Sequence, residues 1–256
     1  MFPDVTTFLA CKEFKNKFVL ISDSQVNGNF MIQHFLVQAL KSGSMVYLVS
    51  FGQLLVHYST IASKLGVNVS KCVSTGQLHF VDCLTKLFNN DTMPDSADPL
   101  KSFKLDQKDM SLRPLYEALK IEVEAQTAKG NTCSIVIDDY SILLSLGVTL
   151  SHLVDFIHYL RVMLCTDTTN GGPLVVMTHC DEDMDEDEDG RLLRDHLAHV
   201  CHMHISATGL KTGHSKDVHG ELKVQRYEDD SAQILQFKVT DRNVHLFAKG
   251  TSSAVL

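Results

Sequence analysis

Ser134-Ile135-Val136-Ile137-Asp138-Asp139 is the stretch on which the reading of this chain turns. A short apolar strand ending in a carboxylate resembles the metal-side half of a nucleotide-hydrolysing site, where the acid orders a magnesium ion. Such a site needs a second half, a Gly-x-x-x-x-Gly-Lys-Ser/Thr loop between the first strand and the first helix. Here that junction reads Asp23-Ser24-Gln25-Val26-Asn27-Gly28-Asn29-Phe30. Asp23 stands where the first glycine belongs, Asn29 where the lysine belongs, and Phe30 where the magnesium-binding hydroxyl belongs. Gly28, preceded by Asn27, is all that remains of the pattern. Without the lysine a triphosphate lacks its counter-charge, and a helix dipole alone offers only about 0.3–1 kcal/mol at an exposed site. Asp23 would add repulsion. The residues therefore predict a strand-to-helix turn with Phe30 in the core, no catalytic residue, no cofactor and no metal; a degenerate nucleotide pocket is the alternative. Asp138 and Asp139 are read in the same way, as a strand-end pair capping the turn at Tyr140-Ser141.

Working outward, Phe18-Val19-Leu20-Ile21, Met45-Val46-Tyr47-Leu48-Val49 and Leu174-Val175-Val176-Met177 read as continuous apolar strands, and Leu78 to Val81 as a shorter one. Helical spacing follows the first of these up to Gly43. It returns from about Gln53 to Leu65, where Gly66 fits a left-handed stop. A helix from Arg113, with Pro114 in its first turn, carries Leu115, Leu119 and Val123 on one face. Another, capped by Thr149 or Ser151, carries Leu153, Phe156, Ile157, Leu160 and Leu164. A short helix is expected around Arg191–Ala198. Beyond it His202–Ser206, Leu222–Tyr227, Ile234–Thr240 and Val244–Ala248 read as strands joined by turns such as Glu228-Asp229-Asp230. Strands alternating with helices, then hairpins, predict an α/β fold: a mainly parallel sheet flanked by helices and extended by C-terminal antiparallel strands. That is the order of a RecA-like core. One domain over residues 1–256 is expected, with a flexible insertion at 89–107 and an acidic loop at 181–189.

Composition narrows the function classes. At 256 residues and 44% hydrophobic, the chain can bury a full core without staples. Seven scattered cysteines without a Cys-x-x-Cys pair imply reduced thiols. The start, Met1 to Val5, lacks the features of a secretory signal, and no apolar run reaches the roughly 18 residues that cross a bilayer. A cytoplasmic protein with no membrane partner is expected, with the nucleus as a second location. The eight carboxylates of 181–189 account for the entire net charge of −8. The remaining body is neutral, which argues against a strongly basic nucleic-acid groove.

Two further constellations hold residue types that bind metals or phosphates. His196, His199, His202 and His204 lie beside Cys201, but a zinc site would need a helix pair and a strand pair to converge on one point. They are read as partly buried or interface histidines. In the loop Lys211-Thr212-Gly213-His214-Ser215-Lys216-Asp217, Lys211 and Lys216 form a modest phosphate attractor and are the candidate RNA-facing residues.

Several stretches resemble the family of the sixth subunit of the Elongator complex. They are the loop Ser22–Phe30, the segment Ile137–Gly147, the helix segment Leu153–Tyr159, the pattern Asp217–Leu222, and the tail Phe247–Gly250 with Ala254–Leu256. The similarity spans nearly the whole chain. The resemblance implies a non-catalytic RecA-like subunit, a degenerate ATPase, in a hetero-hexameric ring holding two copies each of Elongator subunits four, five and six. Such a ring docks on the remaining Elongator subunits, binds tRNA and supports wobble-uridine modification of the mcm5U, mcm5s2U and ncm5U type. Any ATP turnover would belong to the assembled ring. Two alternatives stand beside this: an active nucleotide hydrolase borrowing a lysine from Lys15, Lys17 or a neighbour, and a direct tRNA-binding module. The leading reading also predicts large apolar surface on the isolated chain.

Overall fold

The computed structural model describes residues 2–9, 14–88, 98–102, 111–166, 171–180, 188–210, 213 and 215–249. Nine strands form one sheet: β1 (Phe18–Ser24), β2 (Met45–Ser50), β3 (Leu78–Asp82), β4 (Cys133–Asp138), β5 (Gly171–His179), β6 (Met203–Thr208), β7 (Gly220–Arg226), β8 (Ser231–Val239) and β9 (Val244–Phe247). Their order is β3-β2-β4-β5-β1-β6-β7-β8-β9. The first six strands in that row pair in parallel. From β6 to β9 the pairing is antiparallel. This is the RecA-like arrangement expected from the order of elements.

The apolar runs are continuous because helices cover both faces of the parallel part. Alternate residues of one strand therefore join different cores. Phe18 and Leu20 pack on one face with Ile135, Ile137, Leu174 and Val176. Val19 and Ile21 pack on the other with Val136, Val175 and Met177. The first face is covered by α7 (Arg113–Ala128), α8 (Ile142–Ser145), α9 (Leu150–Cys165) and α10 (Glu188–Val200). The second is covered by α1 (Pro3–Leu9), α2 (Asn29–Lys41), α3 (Leu55–Lys64) and α4 (Val69–Ser74). Two short helices, α5 (Cys83–Phe88) and α6 (Pro99–Ser102), complete the described elements.

The helices obey their sequence signals. In α7 the buried face is Leu115, Ala118, Leu119 and Val123, with proline in the first turn. Thr149 caps α9 by accepting the His152 amide at 3.4 Å. Gly66, at φ 79°, takes the left-handed stop after α3. Helix α2 shows mixed spacing because ten of its thirteen residues are buried, being enclosed by the sheet, α3 and the N-terminal segment. His34 within it accepts the Phe2 amide through Nδ1 at 3.3 Å. Burial, followed by the nearby chain terminus, pulls its pKa down to about 3, so it is neutral.

Helix α1 packs along β9, the last strand of the sheet. Asp4 accepts the Leu246 amide at 3.2 Å, and Arg226 of β7 donates to the Leu9 carbonyl at 2.8 Å. The expected insertion at 89–107 is described only at 98–102, where Pro99–Ser102 is helical. Residues 89–97 and 103–107 lie outside the described residues. So do 181–187 of the acidic loop; Glu188 and Asp189 open the first turn of α10, where negative charge suits the helix dipole.

Candidate functional site

The carboxyl ends of β1, β4 and β5 meet where an open parallel sheet places its ligands. Strand β5 lies between the other two. Its last residue, His179, therefore stands between Asp23 from β1 and Asp139 from the loop after β4. His179 Nδ1 is hydrogen-bonded to Asp23 Oδ1, and its Nε2 lies 3.7 Å from Asp139 Oδ1. The bond to Asp23, aided by the charges of Asp23, Asp139 and Asp138, raises the pKa of His179 against the opposing cost of burial. An imidazole set between two carboxylates, which favour its protonated form, ties three strand ends together.

The second oxygen of Asp23 completes the arrangement. Asp23 is 4% exposed, and its Oδ2 accepts the Gly28 N–H at 2.6 Å, at the start of α2. A helix start presents unsatisfied N–H groups and the positive end of the dipole, the features that otherwise seat a phosphate. Here the chain's own carboxylate takes that role. The space around Gly28 is correspondingly closed: a Cβ there would lie 3.1 Å from Asp23 Cβ and 3.2 Å from its Oδ2. Asp23, expected to repel a triphosphate, is itself engaged by His179 and a backbone amide.

Asp138 departs from its expected part as a turn cap. It is the last residue of β4, 2% exposed, and it accepts a hydrogen bond from the Tyr58 hydroxyl of α3. Tyr58 in turn contacts Ser50 Oγ at 3.0 Å. Burial raises the pKa of Asp138, with the Tyr58 bond working against that rise. The turn belongs to Asp139 instead. Its φ is 52°, its Oδ1 accepts from Ser141 Oγ at 3.5 Å, and Ser141 Oγ accepts the His179 amide at 2.8 Å. Burial is also the main cause of the raised pKa of Asp139, with Asp23 adding to it.

The remaining candidates separate. Asn27 Oδ1 accepts the Asn29 amide at 2.9 Å, an Asx-type turn that leads into α2. Phe30 is 8% exposed and packs edge-on to Phe2 and tilted against Phe237, as expected of a core residue. Lys17 pairs with Glu228 and precedes β1 at its amino end. The site is at the carboxyl end of that seven-residue strand, roughly 20 Å away at 3.3 Å per residue. Lys216 is exposed, and Lys211 lies outside the described residues. The histidines serve different elements: His196 meets the Leu192 carbonyl at 2.9 Å, His202 accepts the Phe18 amide at 2.9 Å, and His204 Nε2 is 2.8 Å from Ser22 Oγ. Among the described residues no group of three or more His, Cys, Asp or Glu side chains is placed to hold a metal ion. His179 and Tyr58 went unnoticed in the sequence. A polar residue ending an apolar strand was the only signal for His179, and nothing local marks Tyr58.

A family profile described as Elongation complex protein 6 matches residues 2–241. A Xenopus laevis chain named Elongator complex protein 6 is 35% identical over 271 aligned positions, covering 100% of both chains. The human chain of that name is 34% identical and covers 94% of each. The Drosophila melanogaster chain is 26% identical over 96% of each. Among solved structures, an uncharacterized protein from Pyrococcus horikoshii in complex with an unknown peptide aligns with a TM-score of 0.62. It is 12% identical and covers 97% of this chain and 98% of that one; at that identity the likeness concerns the fold.

Proposed function

The chain belongs to the Elongation complex protein 6 family, and from that premise we propose that it is a non-catalytic subunit of the Elongator complex. One observation carries the non-catalytic part. The seat that a nucleotide's phosphates would take is filled by the Asp23 carboxylate on the Gly28 amide, locked from behind by His179. Position 29 adds an amide where a cation would be required. In this reading the chain joins subunits four and five in a hetero-hexameric RecA-like ring of two copies each. The ring binds tRNA and supports wobble-uridine modification in the cytoplasm. Full-length similarity to chains named as complex components supports it. So do Val56, Ile121, Tyr159 and Ile234, each more than half exposed on different elements.

The test is co-expression with subunits four and five, followed by the native mass of the product. A hetero-hexamer is expected; a chain that stays monomeric beside both would refute the proposal. ATP turnover by the purified chain, abolished by Asp138→Asn, would refute its non-catalytic part. Against the hydrolase alternative, Lys15 and Lys17 both precede β1 at the end opposite the site, and Lys17 pairs with Glu228. For tRNA, the salt dependence of ring binding should be unaffected by Lys216→Ala if neighbouring subunits supply the phosphate contacts.

A further inference from the structure

Ligand sites run to about 300–1,000 Å³, and a cavity of about 550 Å³ opens beside the first turns of α2. Its floor is aromatic: Phe30 and Phe237 lie 5.1 Å apart, centroid to centroid. Two amide oxygens on its wall are unusual. Gln33 is 1% exposed, and its Oε1 is buried without a hydrogen-bond partner. Asn29 Oδ1 is buried and unpartnered in the same way. The two residues are four apart in one helix, hence neighbours on one face. Buried carbonyl acceptors are rarely left unsatisfied, because the lost water is not replaced. Both line a cavity open to the exterior, so their missing donors can come from outside the chain. At the rim stand Lys64 and Arg242, neither of them ion-paired with any described residue, and the single carboxylate of Asp241, so the rim keeps a net positive charge.

We propose that this cavity receives an aromatic side chain with a neutral hydrogen-bond donor, tryptophan or tyrosine, from a partner protein segment with acidic flanking residues. The chemistry selects each feature. An aromatic ring suits the phenylalanine floor. A neutral N–H or O–H suits Gln33 and Asn29 and avoids repulsion from Lys64 and Arg242, which a lysine or arginine would meet. A carboxylate beside the anchor, on the Lys64 side away from Asp241, complements the net positive rim. An aminopurine nucleotide offers similar donors, but it would direct its phosphates to the start of α2, where Asp23 already sits. The inference rests on the proposed assembly function, and takes the partner to be a neighbouring subunit.

Gln33→Met separates this from a merely structural role. Removing the orphan acceptor while keeping the volume should raise the melting temperature of the isolated chain by about 2–4 °C. The same change should weaken assembly with co-expressed subunits four and five roughly tenfold in Kd. A photo-crosslinking phenylalanine analogue at Ile61, on the cavity wall, should capture a tryptophan or tyrosine peptide with acidic neighbours. Unchanged assembly by Gln33→Met, or capture of a segment lacking those residues, overturns the inference and leaves the assembly function standing. Failure of the unmodified chain to assemble with either subunit overturns both. AMP binding to the isolated chain that is lost on Gln33→Met assigns the cavity to a nucleotide and overturns the partner segment.

Discussion

Replacing Asp23 by asparagine removes one negative charge from the centre of the site and preserves its shape. The asparagine oxygen can still accept the Gly28 amide. Its NH2 then faces His179 Nδ1, which can bond it only as a neutral acceptor, so two hydrogen bonds change from charged to neutral. Bonds to charged groups contribute about 1.5–3 kcal/mol and neutral ones about 0.5–1.5, which puts the change near 1 kcal/mol per bond. The His179 bond counts for less, because that side chain is 40% exposed and screened by solvent. Asp139 also gains slightly from losing a like-charged neighbour. A net loss of about 1–2 kcal/mol follows, or a melting point lower by about 3–6 °C for a domain of this size. The pH dependence is the sharper readout. His179 has a folded pKa raised above its ordinary 6.5, so its contribution is full below that value and is lost as pH rises through the raised one. The gap between the native chain and Asp23→Asn should thus be wide at about pH 6 and narrow by about pH 9. Thermal unfolding of the full chain by circular dichroism across that range measures it. Parallel curves, or a variant as stable as the native chain at low pH, would refute the ionic latch.

Three further outcomes are expected. Tyr58→Phe strips the phenol from buried Asp138 and should cost about 2–3 kcal/mol in urea unfolding. Asp138 already has a raised pKa, so the deficit should grow from about pH 4 to neutrality as the unsupported carboxylate ionises; a pH-independent deficit would contradict this. Gly172→Ala would put a Cβ 2.5 Å from the Cys133 carbonyl, at the register shift between β4 and β5, and should lower stability by about 1–3 kcal/mol. Arg226→Ala removes the bonds to the Phe8 and Leu9 carbonyls. Amide exchange across Pro3–Leu9 should accelerate about tenfold with little change in global melting; unchanged exchange would mean that α1 is held by apolar packing alone.

The parts of this fold that are legible in sequence are those built by local rules. Four central strands announce themselves as apolar runs because both faces are covered, and α7 and α9 because one face is. The phosphate-side half of the site could be read residue by residue for what it lacks, since the relevant positions are consecutive. What fills it could not. Asp23 and His179 are 156 residues apart, and Tyr58 and Asp138 are 80 apart. Their meeting depends on β5 inserting between β4 and β1, which no local pattern encodes. Asp23 read alone is an isolated charge; only the tertiary order supplies its counter-ion. Helices α1, α4, α5 and α8 escaped notice because seven residues or fewer span at most two turns, too little for a period to emerge.

The clasp of α1 on β9 decides where other molecules can attach. A bare terminal strand invites an incoming chain to continue the ladder, but at Leu246 the amide is already spent on Asp4. A newcomer would first have to peel away a helix whose Val5 and Leu9 are sunk in the core. Growth of the sheet at that border is therefore opposed by α1.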